Sequence, residues 1–173
     1  MAKLAPMTKR ILSRAQFLEL TRPLIGQPVS RTWCGYGSAI FFEIGQLTQY
    51  ELTRRDNEPI IRSRGEVSLM IEWSWRVERQ SSIAFGSWNS KRQIESGIQK
   101  LQGLVIEQVE LEGRLPEIVV ELSGGRWVHS FMTVESQPQW SFIWHYEENA
   151  AHRRKWTRCE RGKVVLVRKD LTS

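Results

Sequence analysis

From Val67 to Glu78 the chain alternates apolar and polar residues almost without fault: Val67-Ser-Leu69-Met-Ile71-Glu-Trp73-Ser-Trp75-Arg-Val77-Glu78. A period of two belongs to a strand with one dry and one wet face, because a helix repeats its faces every 3.6 residues. The pattern predicts one long strand, with Val67, Leu69, Ile71, Trp73, Trp75 and Val77 inward and Ser68, Glu72, Ser74, Arg76 and Glu78 in water. Such a strand needs neighbours and a second layer to cover its apolar face, so the chain is expected to be rich in antiparallel sheet.

Around Ser123-Gly124-Gly125-Arg126 the glycines suit a two-residue hairpin, since both accept positive φ. That register sets Leu122 opposite Trp127, Val120 opposite His129 and Ile118 opposite Phe131. It places His129 on an apolar face, and Trp127, His129, Phe131, Trp73 and Trp75 form the candidate pocket. Other strands are expected at about 29–33, 38–44, 104–112, 140–146 and 163–168, and Gln46 to Gly65 reads as a polar loop.

Two helices are predicted. Ile11, Leu12, Ala15 and Leu18 give an amphipathic stretch over Thr8–Leu20, with Thr8 as cap and Pro23 beyond the end. Asn89 or Ser90 caps the second. Gln93 completes a capping box with Ser90, Ile94, Ile98 and Leu101 form its stripe, and Gly103 closes it.

An internal echo orders these pieces. Leu24-x-Gly26-x-x-Val29 is repeated as Leu101-x-Gly103-x-x-Ile106, each after a helical segment, and Phe41-Phe42-Glu43-Ile44-Gly45 parallels Val119-Val120-Glu121-Leu122-Ser123. Two helix-plus-meander units about 78 residues apart would bury their apolar faces on each other. The expected fold is therefore α+β: mainly antiparallel β meanders in two pseudo-repeats, a sandwich or partly closed barrel, with two short helices. One domain would comprise an N-terminal helical arm (1–23), a first half with the junction helix (24–100), a second half (101–149) and a basic C-terminal segment (150–173).

The order L-x-G-x-x-V, apolar strand, Ile71-Glu72-Trp73-Ser74-Trp75-Arg76, helix ending Leu101-x-Gly103, and Leu115 to Ser123 followed by Gly124-Gly125-Arg126 resembles a group of small bacterial domains of unknown function. The likeness covers roughly residues 24–146. It implies a bacterial cytoplasmic protein and brings no catalytic residues with it.

Charge is uneven along the chain. Residues 1–31 carry six Lys/Arg against one acid, residues 32–150 eleven against sixteen, and residues 151–173 eight against two. Basic ends mark a contact with nucleic acid or an acidic partner, or pack against their own acidic body. Trp140-Ser-Phe142-Ile-Trp144-His-Tyr146 runs just ahead of the basic segment. Aromatics beside cations are what single-stranded nucleic acid binding uses, so Arg153, Arg154, Lys155, Trp156, Arg158, Arg161 and Lys163 are the candidate contacts.

No apolar run approaches the roughly 20 residues of a membrane span, and the N-terminus lacks the apolar stretch of a secretory signal, so a cytoplasmic location is expected. Cys34 and Cys159 read as unrelated thiols. His129, His145 and His152 lack metal-site spacing, Gly35-Tyr36-Gly37 lacks the third glycine of a phosphate loop, and no cofactor is expected. Scattered glutamates give no enzyme signature. Eight tryptophans and many arginines, both enriched at binding hot spots, favour a non-enzymatic domain that binds another protein or its own copy. Nucleic acid binding is the alternative, and an unrecognised small-molecule binder or enzyme a further one.

Overall fold

The computed structural model describes residues 7–53, 58–134, 139–145 and 153–170. In chain order the elements are β1 (Met7–Leu12), α1 (Arg14–Thr21), β2 (Val29–Cys34), β3 (Ile40–Ile44), β4 (Thr48–Thr53), β5 (Pro59–Arg64), β6 (Val67–Ile71), β7 (Trp75–Arg79) and β8 (Ser82–Gly86). There follow α2 (Lys91–Gln99), β9 (Ile106–Glu112), β10 (Glu117–Leu122), β11 (Arg126–Ser130), β12 (Trp140–Trp144), β13 (Arg153–Glu160) and β14 (Lys163–Asp170).

Two antiparallel sheets form a sandwich. One has seven strands in the order β1-β14-β13-β12-β6-β3-β2, the other five in the order β8-β7-β11-β10-β9. Alternation decides what lies between them. Ile40, Phe42, Ile44, Val67, Leu69, Ile71, Trp140, Phe142 and Trp144 of the first sheet meet Val109, Leu111, Ile118, Val120, Leu122 and Val128 of the second in one core cluster. At about 25 cal/mol per Å² of apolar area removed from water, this shared layer is the main stabilising term.

The two halves are related in detail. Ser13 caps α1 and forms a capping box with Gln16, while Ser90 caps α2 and does the same with Gln93. After each helix a glycine turns the chain at positive φ, +86° at Gly26 and +88° at Gly103. Around the bridge between Pro28 and Val105 the units exchange backbone hydrogen bonds. Gly26 N–H donates to Ile106 O (2.8 Å) and Gly103 N–H to Val29 O (2.8 Å), while Ile106 N–H donates to Gln27 O (2.9 Å) and Val29 N–H to Leu104 O (2.8 Å). A late strand of each half crosses to pair with the other half: β7, after β6, pairs with β11, and β12, after β11, pairs with β6.

That exchange corrects the expected long strand. The alternation is real, but it serves two strands in different sheets, broken at residues 72–74 where the chain passes from one layer to the other. Ile71 and Trp75 stay buried, and Trp73 is thrown outward.

Two other expectations are corrected. Residues 7–12 are not helical: they pair with β14 from Met7↔Lys169 to Leu12↔Val164, because β14 offers an unpaired row of backbone groups and Ser13, not Thr8, starts the helix. Residues 48–53 and 59–64 are not loop but the paired strands β4 and β5, a separate two-stranded sheet with mostly exposed side chains. The strand expected at about 163–168 is present as β14, and with β13 it forms a hairpin joined into the seven-stranded sheet through β12. Among the described residues no helix is long and apolar enough to cross a membrane.

Candidate protein-binding surface

The crossover forces a conformation that few residues other than glycine adopt. Trp73 has φ +62°, which costs on the order of 1–2 kcal/mol for a residue bearing a Cβ. Ser38 Oγ donates to its carbonyl at 3.0 Å and helps hold it there. Trp75 Nε1 donates to Ser38 O at 2.7 Å, so the β2–β3 turn and the crossover are tied together twice. Gly35, Tyr36 and Gly37 form that turn, closed by Gly35 N–H to Ala39 O at 2.8 Å. A third loop joins them, as Ser87 N–H donates to Trp75 O at 2.9 Å and Ser87 Oγ accepts from Trp75 N–H at 3.2 Å.

These loops and the adjoining end of β2 display aromatic side chains in water. Trp33 is 37 % exposed, Trp73 61 %, Trp88 96 % and Tyr36 fully exposed. Trp33 stacks on Phe41 with ring centroids 3.7 Å apart and planes 7° from parallel. Trp33, Tyr36, Phe41 and Trp73 line a groove of about 640 Å³, in which Glu72 is the one charged side chain among the described residues. Beyond the crossover a second cleft of about 440 Å³ is lined by Trp88, Ile83, Phe131 and Arg76. Surplus tryptophan on loops braced by a rigid sandwich is the form binding surfaces take, because each indole gives wide contact area for few rotors.

The predicted pocket residues do not come together. Trp75 is core, its ring edge-on to Phe85 at 5.9 Å, and Trp73 lies in the aromatic groove. Trp127, His129 and Phe131 share the outer face of the five-stranded sheet. The reason is register: the β10–β11 loop takes in Ser123, Gly124 and Gly125, pairing Leu122 with Arg126, Glu121 with Trp127 and Val119 with His129. One residue of slip reverses every side chain, so Val128 and Ser130 point inward and His129 does not.

On that outer face His129 stands among glutamates. Its Nε2 is 3.4 Å from Glu78 Oε2 and its Nδ1 3.9 Å from Glu112 Oε2. Glu110 and Glu121 complete the rim of a hollow of about 320 Å³. The ring is parallel to Phe131, over which Arg76 lies at 4.2 Å. Among the described residues no group of three or more His, Cys, Asp and Glu is placed to hold a metal ion.

The C-terminal cations are dispersed. Lys155 is buried with Nζ 5.3 Å from the Trp144 ring. Arg158 Nη2 pairs with Glu160 at 2.9 Å, and Lys9 Nζ reaches the other Glu160 oxygen at 2.8 Å. Trp156 is half-buried, while Arg161 and Lys163 are exposed at the hairpin turn. Arg153 and Arg154 begin β13, and their side chains, like Tyr146 and His152, lie outside the described residues.

Sequence reading missed Tyr36, Trp88 and the outward turn of Trp73. The available signal was the clustering of Trp and Tyr with glycine and serine in turn segments, where no partner strand can bury them. The fold and surface thus define a two-layer antiparallel sandwich that carries an aromatic loop end. Comparison with family models, curated proteins and solved structures finds no match for the chain.

The two thiols differ in a way that can be measured. Cys159 is buried with Sγ 3.2 Å from Met132 Sδ, and its thiol is pushed up to about 11, chiefly by burial. Cys34 is half-buried and raised by burial and by Glu95. At about 11, the Cys159 thiol is roughly 0.1 % thiolate at pH 8. With a disulfide reagent at pH 8, Cys34 should react first and Cys159 at least a hundredfold more slowly, rising to the same rate in denaturant. Equal native rates would contradict this packing.

Proposed function

We propose that this protein is a non-enzymatic binding domain that recognises another protein through the aromatic loop end, and that the partner offers lysine and arginine there. The observation that carries the reading is the strained Trp73: a tryptophan held at positive φ and turned into water serves no packing purpose. Trp33, Tyr36 and Trp88 surround it with further hot-spot side chains. Glu72, the one charged side chain lining the groove among the described residues, favours a basic contact there through its carboxylate and the indole faces beside it.

Replacing Trp73 by glycine separates function from folding. Glycine adopts φ +62° freely, and relief of about 1–2 kcal/mol is set against about 0.5–1 kcal/mol of extra backbone entropy. The variant should melt at the same temperature as the parent or a few degrees higher. Capture from the native cell should recover a basic protein with wild type and with Arg161→Glu/Lys163→Glu, and at least tenfold less with Trp73→Gly/Trp88→Ala. Equal recovery by the tryptophan variant would refute the site, and recovery lost only in the Arg161/Lys163 variant would move the contact to the C-terminal hairpin.

A further inference from the structure

A further concave site adjoins the Trp88 cleft, with which it shares Asn89, and lies between α2, β8 and the β10–β11 turn with a volume of about 560 Å³. Arg92, Ser96 and Lys100 line one wall, at i, i+4 and i+8 along α2, a spacing that stacks side chains on one face. Lys100 is the helix's C-cap. Arg79, from the end of β7, and Arg126, at the start of β11, stand among the other lining residues. Arg126 is braced, its Nη1 donating to Gly124 O at 3.1 Å and Gly125 O at 3.0 Å.

The remaining lining includes apolar Ala84, Phe85, Leu101 and Leu104. Gly97 explains how α2 comes so near: a Cβ there would sit 2.8 Å from three atoms of the Phe85 ring. The expected penalty of glycine in mid-helix is therefore accepted in return for close packing of helix on strand.

The charge pattern is what calls for a ligand. Four cations line the cleft and no acid does, although acids outnumber bases sixteen to eleven in residues 32–150. None of the four forms an ion pair with a described acid, and the nearest helical pair, Lys91 with Glu95, uses other residues. Like charges gathered over an apolar floor repel one another, and an anion relieves that repulsion. The volume falls within the roughly 300–1,000 Å³ typical of small-molecule sites.

We propose that this cleft binds a small organic anion, a carboxylate, sulfonate or phosphate carried on a flat apolar body, with the anion between Arg92, Lys100, Arg79 and Arg126 and the apolar body against Phe85, Leu101 and Leu104. The site shares no side chain with the groove of Trp33, Tyr36 and Trp73 and needs no protein partner.

The probe is 1-anilinonaphthalene-8-sulfonate, followed by fluorescence and by amide shifts of the full chain, with uncharged N-phenyl-1-naphthylamine as control. The sulfonate should bind with shifts centred on Phe85, Ser96, Gly97 and Leu104. Arg92→Glu/Lys100→Glu, two exposed positions, should keep the parent melting temperature and weaken sulfonate binding at least tenfold while changing control binding less than twofold. Shifts centred on Tyr36 and Trp73, no sulfonate binding, or equal weakening of both dyes would each overturn the assignment.

Discussion

Replacing Trp140 with alanine should cost about 4 kcal/mol, lowering the melting temperature by roughly 10 °C in a chain of this length. The indole is fully buried, tilted on Phe17 at 5.4 Å and edge-on to Phe142 at 6.0 Å. Its Nε1 donates to Pro116 O at 2.7 Å, so truncation opens a large void and strips a buried carbonyl of its donor. Trp75→Ala should cost a similar amount, because Trp75 opens β7 as Trp140 opens β12 and spends its N–H in the same way, on Ser38 O. Trp88→Ala, almost fully exposed, should stay within about 0.5 kcal/mol of wild type. Urea unfolding of the three variants checks the ranking, and a Trp140 variant within 1 kcal/mol of wild type would show that the sheets do not meet there.

The equivalence of Trp75 and Trp140 shows how far the sequence could be read. Pro116 stands 78 positions after Ser38 and Gly103 stands 77 after Gly26, so the carbonyls and glycines that lock the halves together follow the spacing of the L-x-G echo. The echo was legible because turn glycines and strand ends are local features. The β6–β7 break was not, since Glu72-Trp73-Ser74 continues the alternation and only the second sheet supplies the reason to leave the first. The β10–β11 register was hidden for a similar cause: Gly124-Gly125 suits a tight turn, yet the ladder with β9 and β7 on either side decided which residues face inward. The N-terminal strand escaped because its partner lies more than 150 residues away. The Ser13-x-x-Gln16 capping box, by contrast, is local and repeats at Ser90-x-x-Gln93; counting Ile11 and Leu12 into the helix starts it ahead of Ser13 and hides that box.

Among polar substitutions, Glu43→Ala should have the largest effect, about 4 kcal/mol, because it orphans three donors at once. Glu43 points to the outer side of β3 yet is buried. Its Oε1 accepts from Trp33 Nε1 at 2.9 Å, and its Oε2 accepts from Gly65 N–H at 2.9 Å and Ser68 Oγ–H at 2.5 Å. Ser68 has one proton and gives it to the carboxylate, so His145 Nε2, 2.9 Å away, is the donor to Ser68 Oγ. Glu43→Gln should cost about half as much, since an amide keeps one acceptor but turns an NH₂ group toward groups that also donate. The consequence reaches the aromatic end: Trp33 is held against Phe41 by this bond, and in Glu43→Gln its indole loses the acceptor that orients it. Stability should fall by about 2 kcal/mol, and affinity for the basic partner by at least threefold, with every aromatic side chain still in place. Wild-type affinity in a destabilised Glu43→Gln would mean that Trp33 orients itself by stacking alone, and that the carboxylate serves the fold without serving recognition.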